Sequence, residues 1–429
     1  MAVALNNVEA QTLLTPEQSV ATALKSNYNI LLKQNDSAVY ALDNKYANSA
    51  FLPSLNASAS TLFNNNNTRQ TLADGTQKSQ TGINSNNIQS SLNMNWVLFD
   101  GLKMFATRDK LKAYTELGSL ELKQELEDVI SQTLIAYYSI VAEKQQLRAI
   151  EEQMALNREL VAQAEKKLNV GLAAKPELLT ARTDLNAQQA ARLSQINKID
   201  ILKNELNKLM AVPAAGDYEV IDTIPINKDL NLDEIYAAAI KNNPSINIAK
   251  KNIEISKFVL KEKKADRFPV LSANAAYNFT RNKNQLAINN FTPLLNRNYG
   301  FNYGLTATIP LFNKFNVKRQ IEQAELDINY AGIVLQQQVL STDININSAY
   351  KNYVLSLSTL ALEEENILMA KENVSIAAER NRLGLSTILD LRETQKTLEL
   401  AFTRLIRARY NSKAAEIELK KLAGILILK

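Results

Sequence analysis

The chain has 429 residues and a formal net charge of +5, and it contains no cysteine and no histidine. Without cysteine, a disulfide framework, a thiolate metal site and a lipid-bearing cysteine are excluded. Histidine is the commonest general base and metal ligand, so its absence argues against most enzyme classes, and we expect no cofactor and no metal. Acidic and basic residues are interleaved, which indicates solvated helix faces rather than a nucleic-acid surface.

No run of the sequence approaches the roughly 18 apolar residues that a transmembrane helix needs. The chain starts with a partly apolar segment, MAVALNNVEA. Its small residues Val8 and Ala10 are typical of the end of a signal peptide, although a charged start and a full apolar region are missing. We interpret residues 1–10 as the remnant of a signal peptide, with a frayed N-terminus as the alternative.

An internal repeat organises the rest of the chain. The segment that starts at Leu14, LTPEQSVATALKSN, is echoed 216 positions later by LNLDEIYAAAIKNN. Further along, the offset is 213, and Gly171 then matches Gly384. We therefore predict a first repeat over 11–212, a linker over 213–229 and a second repeat over 230–429.

Each repeat is predicted to begin with two short helices, of which Thr15 caps the first. Pro53 and Pro269 then stop the helical pattern, and two strands with a period-two alternation follow in each copy. Each strand is about ten residues long, near the ~9–11 that a tilted strand needs to cross a bilayer. We predict these strands at about 54–63, 90–99, 270–280 and 300–310. The Asn-rich segments that connect them are predicted to be exposed hairpin loops.

Alternation alone favours a soluble sandwich, because soluble sheets are commoner than membrane sheets. The length of the segments that follow favours the membrane. Runs without proline extend over about 102–170 and about 315–383. At ~1.5 Å per residue, each predicts a helix on the order of 100 Å long. Return helices at about 176–210 and 387–423 would cover part of each apolar stripe as an antiparallel coiled coil. Four strands cannot close a barrel, so membrane strands would require several chains to share one; three chains would supply 12 strands.

In this arrangement the chain resembles the TolC-type outer membrane efflux proteins, also called outer membrane factors. Two strand-to-helix junctions carry the resemblance, NWVLFDG and IPLFNKF, together with two helical turns, KLNVGLAAKPELLTARTDL and RNRLGLSTILDLRETQKTL. The similarity covers about 15–422. It implies a mainly α fold with a small transmembrane β part. Long antiparallel coiled-coil helices would form an α-barrel, and four strands per chain would contribute to a 12-stranded barrel in a trimer.

The resemblance also implies a function. A homotrimer would lie in the outer membrane of a Gram-negative bacterium and extend into the periplasm. There it would be the passive exit duct of a tripartite efflux or type I secretion system, gated at its periplasmic end. Its partners would be outer membrane lipid, a periplasmic adaptor (membrane fusion) protein and an inner-membrane pump of the RND, ABC or another class. The alternative is a soluble or filamentous coiled-coil scaffold, which leaves the four strands unexplained.

Acidic residues near the second helical turn are the candidate pore constriction. Asp390 and Glu393 are three residues apart, which places both carboxylates on one helical face. The resemblance puts them in an acidic ring at the periplasmic entrance, where crowded carboxylates attract cations. Glu177 matches Asp390 in the first repeat, whereas Thr180 stands opposite Glu393. The alternative is that these are ordinary solvated carboxylates.

Other candidate residues follow from the same resemblance. The family often has an aromatic and a basic residue beside the second turn, where this chain has Asn381 and Ser386. We predict three arginines as substitute gate partners: Arg380, Arg382 and Arg392. Six residues at the helical turns are predicted to contact the adaptor: Val170, Gly171, Leu172, Gly384, Leu385 and Ser386. Three aromatics are predicted to mark the membrane interface: Trp96, Phe99 and Phe312.

Overall fold

The structure is a computed structural model that describes residues 12–171, 174–214, 218–287 and 293–427. Residues 1–10, interpreted above as a signal remnant, lie outside the described residues. A short 3₁₀ helix occupies Ala47–Phe51. The helices and strands are, in chain order, β1 (Thr12–Leu14), α1 (Pro16–Ser26), α2 (Tyr28–Lys45), β2 (Ser54–Thr71), β3 (Gln77–Phe99), α3 (Lys103–Asn169), α4 (Lys175–Met210), β4 (Tyr218–Val220), α5 (Leu232–Asn242), α6 (Pro244–Ala265), β5 (Val270–Asn284), β6 (Leu295–Thr308), α7 (Asn316–Arg382) and α8 (Ile388–Leu422).

This order confirms the predicted class, mainly helical with a small antiparallel sheet. The described residues form two compact units, which we call the helical unit and the sheet unit. The helical unit comprises 12–38, 117–250 and 333–427, and the sheet unit comprises 39–116 and 251–332. Each unit takes segments from both sequence repeats, so the limits of the repeats stay a prediction. None of the described helices is both long and apolar enough to cross a membrane.

Helix ends are set by local capping chemistry. Thr15 caps α1 as predicted, and its side chain forms a capping box with Gln18. Gly171 and Gly384, with φ of 75° and 73°, follow the two long helices in the left-handed conformation that only glycine adopts without strain. Both long helices contain 67 residues, and each residue of α3 matches one of α7 at the offset of 213.

The sheet unit contains one antiparallel sheet in the order β2-β3-β5-β6, so β2 and β6 are its edges. The strands reach well beyond the predicted limits, and most of the first Asn-rich segment, predicted as a loop, is strand. The actual turn spans only 72–76, where the Asp74 carboxylate accepts a hydrogen bond from the Thr76 N–H at 2.9 Å. The prediction failed because polar residues on both faces erase the alternation, while the backbone ladder continues unchanged.

Strand register places like residues on like faces of the sheet. Leu92 on β3 is opposite Tyr277 on β5, which is opposite Phe301 on β6. One face is therefore apolar across all four strands, with Leu55, Ala57, Ala59, Leu92, Met94, Trp96, Ala273, Ala275, Tyr277, Phe301, Tyr303 and Leu305. The other face is polar, with Asn56, Ser58, Ser60, Ser91, Asn93, Asn95, Ser272, Asn274, Asn278, Asn298, Asn302 and Thr306.

The core of the helical unit surrounds Tyr137 on α3, which is fully buried. Its hydroxyl donates to the Leu14 carbonyl at 2.6 Å and accepts a hydrogen bond from the Ile221 N–H at 3.1 Å. Leu14 ends β1 and Ile221 follows β4, and these two strands pair in parallel. The segment 213–229, predicted as a linker, is thus held in the core through its residues 218–221.

A second anchor lies on α7. The Tyr353 hydroxyl, also buried, donates to the Asn227 carbonyl at 2.8 Å. The Asn227 N–H in turn donates to the buried Glu416 carboxylate at 3.0 Å, which also pairs with Lys413 at 3.0 Å. We call the region around Tyr137, Tyr353 and Glu416 the base of the helical unit.

Candidate functional site

The candidate site lies in the helical unit where each long helix meets its return helix. We call the ends of α3 and α7, with the turns that follow and the starts of α4 and α8, the tips. The turn after α7 is closed by two backbone bonds, from Gly384 N–H to the Asn381 carbonyl at 3.1 Å and from Leu385 N–H to the Arg380 carbonyl at 2.8 Å. The Asn381 side chain donates to the Ser386 carbonyl at 3.2 Å. The two residues that depart from the family pattern are therefore bonded to each other across the turn.

Asp390 has a structural role besides its charge. The Thr387 N–H donates to its carboxylate at 3.0 Å, while the Asp390 N–H donates to the Thr387 hydroxyl at 3.2 Å. This capping box begins α8. The bond from the Thr387 backbone is the main cause that lowers the pKa of Asp390, and the nearby Arg380 adds to it. Asp390 is consequently a carboxylate, held on the surface at the start of the helix.

The other candidate carboxylates form no ion pair with the described part of this chain. The side chains of Glu393 and Glu177 are without an ion pair to any described residue, and Glu393 is exposed. Glu177 lies near the start of α4, in the tip formed by the first repeat. Both remain available to ions or to another chain.

Two of the three predicted arginines are engaged elsewhere within the chain. Arg382 pairs with Glu379, one turn earlier on α7, at 2.6 Å. Arg392 on α8 pairs with Asp184 on α4 at 2.8 Å. The guanidinium of Arg380 makes no ion pair with a described residue and acts on Asp390 only through its charge. Bonds from these arginines to Asp390 or Glu393 are absent among the described residues of one chain, and a bond between chains stays a prediction.

Cavities separate the two helical hairpins at the tips. One of about 320 Å³ lies between Asn157 on α3, Glu177 on α4, and Asn381 and Arg392 on the second hairpin. A second, of about 360 Å³, is lined by Asn157, Arg392 and Glu393. The Asp184–Arg392 pair borders both cavities, so it bridges a loosely packed contact between the hairpins.

Several polar groups at the tips lack partners within the described chain. Asn157 is only 7% exposed, yet its side chain makes no hydrogen bond there. The Gln188 Oε1 and the Ser386 Oγ are likewise buried without a partner. Such groups are costly in a permanent core. The tips therefore resemble a surface whose polar groups find their hydrogen-bond partners in another molecule.

The predicted adaptor contacts occupy the turns. Val170 and Leu385 are large apolar side chains that are two-thirds exposed. Gly171 and Gly384 supply the left-handed turn conformation, and Leu172 lies outside the described residues. Exposed apolar residues at a hairpin end suit a helical partner, and this role stays a prediction.

The three predicted interface aromatics belong to the sheet unit. The Trp96 indole N–H donates to the Phe51 carbonyl at 2.8 Å, which fixes the ring beside the 3₁₀ helix. Phe99 ends β3 and is partly exposed. Phe312 is 73% exposed and stacks edge-on against Phe315 at 5.6 Å. A membrane role for these rings stays a prediction.

Sequence reasoning missed Asp184 and Asn157. Asp184 is seven residues after Glu177, so the helical period could have placed both on one face of α4. Its partner Arg392 is 208 positions away, and no local pattern joins them. Thr387 was also missed, although the spacing of Thr387 and Asp390 is that of a capping box.

Comparison with known proteins agrees with this architecture. The family model described as "Outer membrane efflux protein" matches residues 21–212 and 235–425. "Outer membrane protein TolC" of Escherichia coli (strain K12) is 22% identical over 357 residues, which cover 80% of this chain and 71% of that protein. "Outer membrane protein TolC" of Vibrio cholerae serotype O1 is 23% identical over 400 residues, covering 92% and 86%.

A solved structure shows the same fold. The outer membrane protein VceC of Vibrio cholerae superposes with a TM-score of 0.76 at 14% identity, and the match covers 95% of this chain and 96% of that one. The predicted TolC-type fold and the predicted family are both confirmed. The chain therefore belongs to the outer membrane efflux protein family, the TolC family of outer membrane efflux and secretion channels, whose members are transporters and not enzymes.

Proposed function

We propose that the chain acts as a homotrimeric duct. It would carry efflux or secretion substrates across the outer membrane without energy input of its own, and it would be gated where the tips converge in the periplasm. Family membership supports the channel function. The sheet and the tips support the trimer, the gate and the partners.

The observation that carries the proposal is the sheet with two open edges and two unlike faces. A sheet in a bilayer must have no free edge, because hydrocarbon leaves unpaired backbone groups unsatisfied. The strands alternate in direction from β2 to β6, so the two edges run in opposite directions. β6 of one copy can thus pair with β2 of the next and continue the antiparallel pattern. Three copies give 12 strands.

The two faces suit the two environments of such a barrel. The face with Leu92, Tyr277 and Phe301 would meet lipid, and the face with Asn93, Asn278 and Asn302 would line a watery lumen. A soluble scaffold leaves the exposed apolar face without a role: Tyr303 is 82% exposed in the single chain. The sheet thus favours the duct over the scaffold.

The gate would be formed by the tips. Asp390 and Glu393 are exposed on the first two turns of α8, and three copies would bring six of these carboxylates around one axis. A narrow ring of that charge lowers the barrier for cations and raises it for anions. The apolar turns with Val170 and Leu385 would receive a periplasmic adaptor, through which an inner-membrane pump of the RND, ABC or another class delivers the substrate.

The test is ion conduction by the purified protein in a planar bilayer. We expect trimers to form channels that prefer cations, as measured by the reversal potential in a salt gradient. In Asp390→Asn/Glu393→Gln, cation preference should fall, because the ring charge is lost. Asparagine can still accept the bond from the Thr387 N–H, so this variant keeps the capping box that alanine would remove.

The control is Glu365→Gln, which neutralises an exposed carboxylate on α7 without an ion pair in the described chain. It should leave conductance and selectivity unchanged. No current from well-folded trimers would overturn the duct. Current with unchanged selectivity in the double variant would overturn only the acidic gate.

A further inference from the structure

The antiparallel sheet carries charge of one sign only. Its four strands, β2, β3, β5 and β6, contain five basic residues and no acidic residue. The chain has 49 basic and 44 acidic residues in all, so the sheet accounts for the whole formal net charge of +5. Three of the five basic residues lie on the adjacent strands β5 and β6, namely Arg281, Lys283 and Arg297.

Strand register brings these three residues together on the apolar face of the sheet. Arg281 on β5 is directly opposite Arg297 on β6. Tyr277 and Phe301, which belong to the apolar face, are each four residues away from these arginines, so the period of two puts both arginines on that face. Lys283 is two residues beyond Arg281 and shares the face. We call Arg281, Lys283 and Arg297 the basic cluster.

The basic cluster has no opposite charge within the described part of the chain. None of its three residues forms an ion pair with a described carboxylate. The Nε of Arg281 is buried and has no hydrogen-bond partner among the described residues. Like charges directly opposite each other on neighbouring strands destabilise a sheet, and a buried donor without a partner adds to that cost. An anion held between the two arginines would relieve both costs.

The place of the basic cluster along the strands indicates which anion this is. On β5 the apolar face extends from Leu271 to Phe279, a rise of about 26 Å at ~3.3 Å per residue. This is the scale of the ~25 Å apolar band of outer-membrane barrels. The cluster lies just past that band, at the end of β5 that is remote from α6 and beside the connection to β6. In a barrel whose helices extend into the periplasm, this end faces the outer leaflet.

The neighbours of the basic cluster suit a lipid headgroup. Phe279 and Tyr299 are opposite each other, one step of the face before Arg281 and Arg297, and Tyr299 is 71% exposed. Aromatic rings of this kind gather where the apolar band meets the headgroups. Basic side chains beside them can keep their stems against lipid chains and their charges among the headgroups. Arginine binds phosphate through two parallel hydrogen bonds, which makes a lipid phosphate the complementary anion.

We propose that the basic cluster binds the phosphate of a lipid in the outer leaflet, with Arg281 and Arg297 on the phosphate and Lys283 beside it. The cluster can meet such a lipid only if the apolar face lies in the membrane, so the inference rests on the proposed function for that orientation. The bound lipid would join β5 to β6 where like charges weaken their pairing. Since β6 is an edge of the sheet, the lipid would stabilise the strand on which the next copy pairs.

The test is thermal unfolding of the purified protein in a neutral detergent with added lipid. The probe is dioleoyl phosphatidic acid, and its matched control is dioleoylglycerol, which has the same acyl chains and no phosphate. We expect phosphatidic acid to raise the unfolding temperature by several degrees, and dioleoylglycerol or inorganic phosphate to leave it unchanged. An equal rise with dioleoylglycerol would mean that acyl chains alone are bound, and an equal rise with inorganic phosphate would mean a site for free anions. Either result would overturn the lipid site.

Neutralising the two arginines should have opposite effects without and with the lipid. Without lipid, Arg281→Gln/Arg297→Gln should unfold slightly above the wild-type temperature, because the repulsion between the strands is gone. With phosphatidic acid, the variant should lose most of the gain that the wild type shows. The control is Lys78→Gln, which removes a basic residue of β3 outside the cluster and should keep the full gain.

Two outcomes separate the basic cluster from a structural role of its arginines. A double variant that unfolds below the wild-type temperature without lipid and keeps the gain from phosphatidic acid would overturn the site. Protein that conducts ions in a planar bilayer and gains nothing from phosphatidic acid would overturn the lipid site alone. Because the cluster lies within one chain, protein that is stabilised by phosphatidic acid and never conducts would overturn the duct and retain the site.

Discussion

The base and the tips of the helical unit are built on the same four helices, α3, α4, α7 and α8, yet they are packed in different ways. At the base, Tyr137 and Tyr353 are fully buried and bonded to the backbone. At the tips, cavities of about 320 and 360 Å³ separate the hairpins, and the Gln188 Oε1 and the Ser386 Oγ are buried without a partner among the described residues. Stability is thus concentrated where the helices must stay together, and the tips are left free to change partners.

The largest expected effect comes from breaking the base. Tyr137→Ala empties a fully buried site and leaves the Leu14 carbonyl and the Ile221 N–H without their partner. We expect a loss on the order of 3–5 kcal/mol in the free energy of unfolding, as for other large aromatic truncations. The measurement is the thermal unfolding of the purified protein in detergent. Tyr28→Ala, at a 70% exposed position of the same unit, is the control and should unfold near the wild-type temperature.

A smaller effect is expected from Glu127, a buried carboxylate beside the base. Burial of Glu127 on α3 raises its pKa from 4.5 to about 7, although Lys123 and Lys421 oppose this shift. Between those two values the folded chain keeps a proton that the unfolded chain releases. The free energy of unfolding therefore falls as pH rises through this window, and the full penalty is present above pH 7.

Glu127→Gln should remove this penalty, which amounts to about 3 kcal/mol at most. The variant should unfold at a higher temperature than the wild type at pH 8, and the difference should shrink at pH 4.5. Glu365→Gln, at an exposed position, should show no such dependence on pH. An equal gain at both pH values would mean that ionisation of Glu127 is not the cause.

Filling a tip cavity should make the tip resemble the base. Ala164 on α3 is buried and lines the cavity of about 320 Å³. Ala164→Leu is expected to stabilise the local contact by on the order of 1 kcal/mol. Hydrogen exchange of the backbone around 388–399 should slow, and the channel should open less often. The matched variant Ala23→Leu enlarges a residue of the packed base core and should destabilise by overpacking. Faster exchange in Ala164→Leu would contradict a cavity that can be filled.

The smallest effect is expected from the ion pair between the tips. Asp184 and Arg392 are 33% and 41% exposed, so solvent screens their attraction and the pair contributes less than about 1 kcal/mol. Asp184→Asn should speed exchange around 388–399 only a few-fold, and the effect should vanish at high salt. Arg392→Gln should add nothing to it, since either change breaks the same pair. Additive effects of the two substitutions would show that they act through different contacts.

The comparison of the base with the tips also explains which features could be predicted from the sequence and which could not. The long helices have no internal proline and end at left-handed glycines, so their limits follow from local chemistry. The strand ends were misplaced because Asn-rich stretches such as 64–71 carry polar residues on both faces, and period two is then invisible. The family resemblance pointed to Asp390 and Glu393, but the Asp184–Arg392 pair joins residues that only packing brings together.

The equal length of α3 and α7 has a consequence for how such a chain can change over time. Both helices have 67 residues and correspond position by position. In a wall made of alternating repeats, an insertion in one helix alone would displace its tip from those of its neighbours and shift every apolar stripe beyond the insertion. Viable changes in length must therefore occur in both halves of the gene, by matched amounts.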